Sequence, residues 1–200
     1  MDDSFEIEWW NNEYRKTKSS GYGSRNKLLE YKVSYLNRVF KSFKIKSVFD
    51  FGCGDGIVAR ELNVEKYVGV DGSVEAVRVF KENVIKDERF ISVVGHFNDF
   101  EPKEYDAIIC LDVLYHIKQA EVQNDLLKRI FQSDAKFIIL YTAPPEEIIN
   151  EVVSDNNCAF GKNFSKTLIE VNKDFQLIEK TKKQEGSGAI FYVYVRRIKK

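Results

Sequence analysis

The segment SVFDFGCGDGIVAREL, residues 47–62, places the tightest limit on what this chain can fold into. A β-branched and aromatic run passes into glycines at alternate positions, Gly52, Gly54 and Gly56, and then into a helix-like stretch. A strand that turns directly into a helix must change direction within a few residues, and glycine supplies the positive φ angles and the missing Cβ that this requires. Backbone N–H groups at such a turn are free to face a ligand. The spacing G-x-G-x-G departs from the dinucleotide fingerprint G-x-G-x-x-G, which needs a small residue where Ile57 stands. With no G-K-[ST] after the loop, the phosphate-cradling P-loop is excluded too.

The rest of the chain reads as an α/β alternation. Apolar residues recur three and four apart over 26–43, predicting an amphipathic helix. Strands are expected at KSVFDF, KYVGV, RFISVVG, YDAIICL and AKFIILYT, the third and fourth being near-continuous apolar runs of the kind that strands buried on both faces show. Helices are expected at about 57–62, over SVEAVRVFKENVIK with Ser73 as N-cap, over EVQNDLLKRIF, and from Pro145 onward. FQLIEKTKK and AIFYVYVRR alternate around the turn QEGSG and predict an antiparallel hairpin. The fold class is therefore α/β: a Rossmann-like, doubly wound, mostly parallel seven-stranded sheet with an antiparallel C-terminal hairpin and helices on both faces. Ligands in such sheets bind beyond the carboxyl ends of the strands, where the winding reverses.

The length of 200 residues fits a single domain, with residues 1–45 as an N-terminal helical cap and cofactor-covering loop over a core of 46–200. The 31 Lys and Arg balance 31 Asp and Glu, so no global basic field argues for nucleic acid. Cys53, Cys110 and Cys158 are widely spaced and form no CxxC pair, a pattern of reduced thiols rather than of a disulfide framework or zinc site. With an acidic start and no apolar run of membrane-span length, the protein is read as cytoplasmic.

Acidic residues at strand ends define the expected ligand. Asp71 ends the second strand, 17 residues after Gly54, where a carboxylate can accept from both hydroxyls of a ribose. Asp50, just before the glycines, can serve an ammonium group. The site thus offers partners for a ribose and an amine, and none for a phosphate.

VFDFGCGDG, YVGVDGS and YDAIICLDVLYHI together resemble the motifs of the class I S-adenosylmethionine-dependent methyltransferases over residues 47–142, and the hairpin is similar to that family's last two strands. The resemblance implies S-adenosylmethionine as cofactor and S-adenosylhomocysteine as product. It implies that Gly52 and Gly54 meet the methionine portion, with Cys53 in the same cofactor-binding turn; with no nearby base to activate it, the Cys53 side chain reads as a small filler. Asp50 then supports the amino group, Asp71 holds the ribose, and Gly72 and Ser73 sit beside the adenine. In VVGHFNDF the family often has an acid directly after the glycine; here His96 stands there and Asp99 follows three later. SSGYGSRNKLLEYK and the stretch after strand four are similar to small methyltransferases of polysaccharide and glycan modification, in which a glycine-serine loop closes over the cofactor. Tyr22 and Arg25 belong to that loop. The same resemblance implies a sugar acceptor; a glycosyltransferase, fused to the chain or working with it, is the partner considered beside it.

For a hydroxyl acceptor, methyl transfer needs alignment and proton removal. His116 is the expected base, since it follows Asp112 by four residues and a helical turn would put both on one side, with Asp112 orienting the imidazole or contacting the methionine amine. A helix-capping role for His116 is the alternative. Trp9, Trp10 and Tyr14 read either as a stacking platform for the acceptor or as a segment pinned to the core. No acid or histidine cluster points to a metal. The acceptor pocket is expected from the N-terminal helix region, the loop after strand four, and residues 155–166. Small-metabolite O- or N-methylation is the second function carried. Nucleic-acid methylation is disfavoured because DVLY replaces [DNS]-P-P-[YFW]. A non-catalytic cofactor-binding subunit and a dehydrogenase complete the alternatives.

Overall fold

A computed structural model describes residues 4–144, 168 and 172–198. The chain opens with α1 (Ser4–Thr17), a 3₁₀ turn (Tyr22–Ser24) and α2 (Asn26–Phe43). Then follow β1 (Ser47–Phe51), β2 (Lys66–Asp71), α3 (Val74–Asn83), β3 (Phe90–Val94), β4 (Ala107–Leu111), α4 (Ala120–Gln132), β5 (Phe137–Thr142), β6 (Phe175–Lys180) and β7 (Ile190–Arg196). The expected helix from Pro145, the segment 155–166 and Cys158 lie outside the described residues.

The strands form one seven-stranded sheet in the order β3-β2-β1-β4-β5-β7-β6. The first five run parallel, while β7 inserts antiparallel between β5 and β6. Alternate side chains of each central strand enter opposite cores. Val48, Ile109, Ile139 and Tyr141 pack with α2 and Phe80 of α3 on one face. Phe49, Ile108, Ile138 and Leu140 pack with Leu126, Leu127 and Ile130 of α4 on the other. Because β1 and β4 are neighbours, the connections leaving their carboxyl ends diverge to opposite faces and open a crevice between them. No helix among the described residues is long and apolar enough to cross a membrane.

Two expectations are corrected. The stretch 57–62 is not a regular helix: only Ala59–Glu61 forms a single 3₁₀ turn. Gly56 enters it at φ +73°, where a Cβ would lie 2.6 Å from the Phe80 ring. Asn37 of α2 ends it by donating to the Glu61 carbonyl and accepting from the Asn63 N–H, taking the places of the next helical turn. The second correction concerns β3, which is the sheet edge, so Ile91 and Val94 are exposed rather than buried on both faces.

Phe191 of β7 is fully buried, stacked on Tyr35 of α2 at 4.0 Å between ring centroids. Phe191→Ala is expected to lower stability by about 3–5 kcal/mol, the usual loss for removing a buried ring. The shift in the urea-denaturation midpoint at unchanged slope checks this.

Candidate active site

A cavity of about 720 Å³ lies beyond the carboxyl ends of β1, β2 and β4 and is roofed by the N-terminal segment. Asp50, Gly52, Cys53 and Gly54 line it from the first turn, and Asp71, Gly72 and Ser73 from the second. His96, Asp112 and His116 line it from the turns after β3 and β4, and Tyr22 and Arg25 from the roof. These twelve residues singled out from the sequence thus line a single cavity, whereas Asp99 does not.

Asp71 organises the β1 and β2 turns. One carboxylate oxygen accepts the Gly54 N–H at 3.0 Å and the other the Ser73 N–H at 2.9 Å. Ser73 in turn caps α3 by accepting the Ala76 N–H, and donates its hydroxyl to Asn11 of α1 at 2.8 Å. Burial raises the Asp71 carboxyl above its ordinary value, opposed by those two backbone bonds. Gly52, at φ +79°, faces Val113 so closely that a Cβ would fall 2.2 Å from its Cγ2.

Asp50 is buried in β1 and accepts the Tyr67 hydroxyl at 2.5 Å on Oδ2, while its buried Oδ1 has no hydrogen-bond partner among the described residues. Burial pushes its carboxyl up to about 7, with the Tyr67 bond working the other way and the nearby Asp71 charge adding to the rise. A buried carboxylate oxygen lacking a donor is unfavourable unless a ligand supplies one. It fits an ammonium group.

Two partly buried ion pairs fasten the roof. Arg25 pairs with Asp55 of the glycine turn, which also accepts from the Ser20 backbone N–H and hydroxyl. Its guanidinium therefore faces Asp55, although Arg25 reaches the cavity wall. Lys32 of α2, fully buried, pairs with Asp112 Oδ2, and the Tyr115 hydroxyl donates to Asp112 Oδ1 at 2.6 Å. Asp112 sits in the left-handed region at φ +59° and is followed by a 3₁₀ turn, Leu114–His116.

That geometry corrects the expected Asp112–His116 arrangement. No α-helical turn carries the two residues, and the carboxylate is engaged by Lys32 and Tyr115 rather than by the imidazole. His116 is instead held by rings: Trp10 meets it edge-on at 5.0 Å and Tyr115 lies 4.5 Å away. Although His116 is exposed at the cavity wall, partial desolvation by the surrounding rings lowers its pKa, while the Asp112 charge opposes the shift. Trp9 packs edge-on against Trp10 at 4.8 Å and is half exposed. Trp9 and Trp10 thus line the cavity, and Tyr14 is buried beneath Gly54, whose added Cβ would meet the phenol oxygen at 2.8 Å.

Beside the third turn, His96 and Phe97 line the cavity with ring centroids 4.1 Å apart. Asp99 is drawn back to accept the His96 N–H, so the imidazole stands where an acid would have been expected. Cys53 is half-buried against Gly69, and burial raises its thiol well above the ordinary value, as suits a filler. Tyr22 is exposed at the mouth.

Sequence reasoning missed Asn11, Asp55, Tyr67 and Lys32. Only Lys32 carried a readable signal: it falls four residues from both Leu28 and Leu36, inside the apolar stripe of α2.

Residues 24–148 match the model of a methyltransferase domain. The ubiquinone biosynthesis O-methyltransferase of Rickettsia bellii is 26% identical over 133 residues, covering 61% of this chain and 52% of that protein. The chain spans about half the length of the curated relatives it matches. Among solved structures, magnesium protoporphyrin IX methyltransferase from Synechocystis PCC 6803, with bound S-adenosylhomocysteine, superposes with TM-score 0.73 at 16% identity, over 98% of this chain and 100% of that one. N-methyltransferase NodS from Bradyrhizobium japonicum WM9, also holding S-adenosylhomocysteine, gives TM-score 0.77 at 12% identity, over 96% and 98%. The chain belongs to the methyltransferase domain family, which uses S-adenosylmethionine.

The environment of Asp50 has a measurable consequence. Its carboxyl ionises near pH 4 when unfolded (about 3.9) and at about 7 when folded. Between those values the folded chain holds more protons, so this group makes stability fall as pH rises from about 4 to 7. Asp50→Asn is expected to melt above the wild type at pH 8, with the gap closing by pH 4. Calorimetric melting without ligand across that range checks it.

Proposed function

We propose that this chain transfers a methyl group from S-adenosylmethionine to a hydroxyl oxygen of a small ring-bearing acceptor, with His116 as general base. The observation that carries the reading is an imidazole set against Trp10 and Tyr115 at the wall of the cavity that Asp50 and Asp71 also line, exposed enough to meet an acceptor and with its pKa lowered by partial desolvation.

S-adenosylmethionine, when bound, supplies a methyl on a sulfonium, so the leaving group is already activated. Asp71 keeps lone pairs beyond those given to Gly54 and Ser73, and holds the ribose hydroxyls. Asp50 Oδ1 takes the ammonium, and the turn at Gly52 and Gly54 presents backbone to the methionine portion. Gly72, Ser73 and His96 flank the base. Tyr22 and Arg25 belong to a cap, residues 1–45, that excludes water from the reacting centre; Arg25 acts there through Asp55. Asp112 is a positioning residue: bound by Lys32 and Tyr115, it fixes the turn that carries His116. His116 takes the acceptor proton as oxygen attacks in line.

The base lends itself to an acidic hydroxyl. Partial desolvation weakens the imidazole, and a phenol ionises near 10 against about 15.7 for water, so transfer from a ring-borne phenolic hydroxyl is the smaller step. The O-methyltransferase relatives agree with an oxygen acceptor. A sugar hydroxyl is the second reading, supported by the exposed Trp9 ring, on which a pyranose can stack beside the half-buried Trp10; a glycosyltransferase would then be the enzyme that furnishes the acceptor.

Calorimetric titration of S-adenosylhomocysteine should show micromolar binding that Asp71→Ala weakens at least about tenfold, the scale of lost hydrogen bonds to a charged group. Absence of binding to the wild type would overturn the reading. With a panel of phenols, sugars and amines, His116→Gln is expected to lower kcat for the accepted hydroxyl compound about 10²–10⁴-fold with cofactor affinity unchanged. Wild-type activity should rise with pH through a pKa below the ordinary histidine value and be level at neutrality. Undiminished turnover in the variant would shift the assignment to a nitrogen acceptor, the chemistry named for NodS.

A further inference from the structure

We propose that Trp10 is a positioning residue for the base: from α1 it holds the imidazole of His116 in the orientation that meets the acceptor, an inference that rests on the reading of His116 above. A base is held in line by a third group, and the carboxylate four residues before His116 is taken by Lys32 and Tyr115. Orientation therefore falls to packing. The imidazole is exposed at the cavity wall, with Tyr115 at 4.5 Å and Trp10 edge-on at 5.0 Å and 86° between ring planes. Tyr115 is its chain neighbour, already fixed on Asp112. Trp10 is the ring that reaches it from another element.

The indole is not needed to dock its own helix. It is half-buried and belongs to neither core cluster, and its ring neighbours are Trp9, Tyr14 and His116. Other residues fasten α1. Ile7 lies against Gly72, where an added Cβ would come 3.0 Å from its Cγ1, and Asn11 accepts the Ser73 hydroxyl at 2.8 Å and the Glu75 N–H at 3.3 Å. Successive residues of an α-helix point about 100° apart, so the helix that grips the turn after β2 through Asn11 presents Trp10 on its adjoining side, to the turn after β4. One helix thereby sets the base relative to the turn that carries Asp71.

The same ring keeps water from the imidazole. Partial desolvation lowers the His116 pKa, and the Asp112 charge opposes it. Among the described residues, the other titratable groups of the surrounding elements are Tyr115 on its own turn, Lys32 of α2 behind Asp112, and Glu6, Glu13 and Tyr14 of α1 on the cavity wall. A change at Trp10 leaves all of them in place, so loss of the ring admits water and lets the imidazole pKa rise.

The test is an NMR titration of the two imidazoles of the whole chain, His96 and His116, with His116→Gln supplying the assignment. Trp10→Ala is expected to bring the His116 pKa up toward the ordinary value of about 6.5 and to move its ring resonances. His96 should titrate as in the wild type and S-adenosylhomocysteine should bind within about threefold of it, which reports that the variant folds and that α1 stays docked. Trp10→Phe, which keeps a ring against the imidazole, should restore most of the wild-type behaviour. On an accepted hydroxyl compound, Trp10→Ala should lower kcat about 10–10²-fold, with the acidic limb of the pH profile displaced upward and the KM for the cofactor unchanged. A wild-type pKa and wild-type resonances for His116 in Trp10→Ala would overturn the proposal whatever happens to kcat. Loss of cofactor binding in that variant would make Trp10 a docking residue of α1 and overturn it as well. Undiminished turnover in His116→Gln would instead overturn the base reading, and this inference with it.

Discussion

The Asp71 carboxylate is the joint on which the ligand-facing end of the sheet depends. With one oxygen on the Gly54 N–H and the other on the Ser73 N–H, it ties the turn after β1 to the turn after β2. Ser73 then passes the constraint on, capping α3 through Ala76 and holding α1 through Asn11. Neutral caps of this kind contribute about 1 kcal/mol each. Their effect here is geometric more than energetic: three segments distant in sequence are fixed by one half-buried acid.

The N-terminal segment is a wall of the same cavity. Its ties around the cavity go to different loops of the sheet: Asn11 to the turn after β2, Ser20 and Arg25 to the glycine turn, Lys32 to the turn after β4. Removing one partner from a buried pair leaves the other charge uncompensated, so such contacts are strict about geometry even where they add little net stability. The strain follows the same logic. Asp112 holds a left-handed conformation that a residue other than glycine rarely adopts, and it does so where its carboxylate is gripped from two sides.

Much of this was legible in the sequence because it depends on local rules. The alternation of strands and helices, the glycine turn after β1 and the acid ending β2 follow from periodicity and backbone sterics, and all appear as expected. The stretch 57–62 misled because helix-like spacing over six residues is weaker than the pull of Asn37, which lies on another helix. The edge position of β3 was hidden because an apolar run does not state how many neighbours it has. The expected helical link from Asp112 to His116 failed on one φ angle, which aspartate tolerates more readily than most residues but does not announce. The contact of Trp10 with His116 joins residues from opposite ends of the first two-thirds of the chain, beyond the reach of any local pattern. Lys32 is the exception, since its place in the apolar stripe could have been read as a buried charge in need of a partner.

The central claim is that the N-terminal segment and the sheet loops together enclose the cofactor. Amide hydrogen exchange with and without S-adenosylhomocysteine tests it most directly. The account predicts that the ligand slows exchange together at residues 20–25, at the turns around Gly54 and Ser73, and at residues 112–116. Protection confined to the sheet loops, with residues 20–25 exchanging as fast as in the free protein, would contradict it.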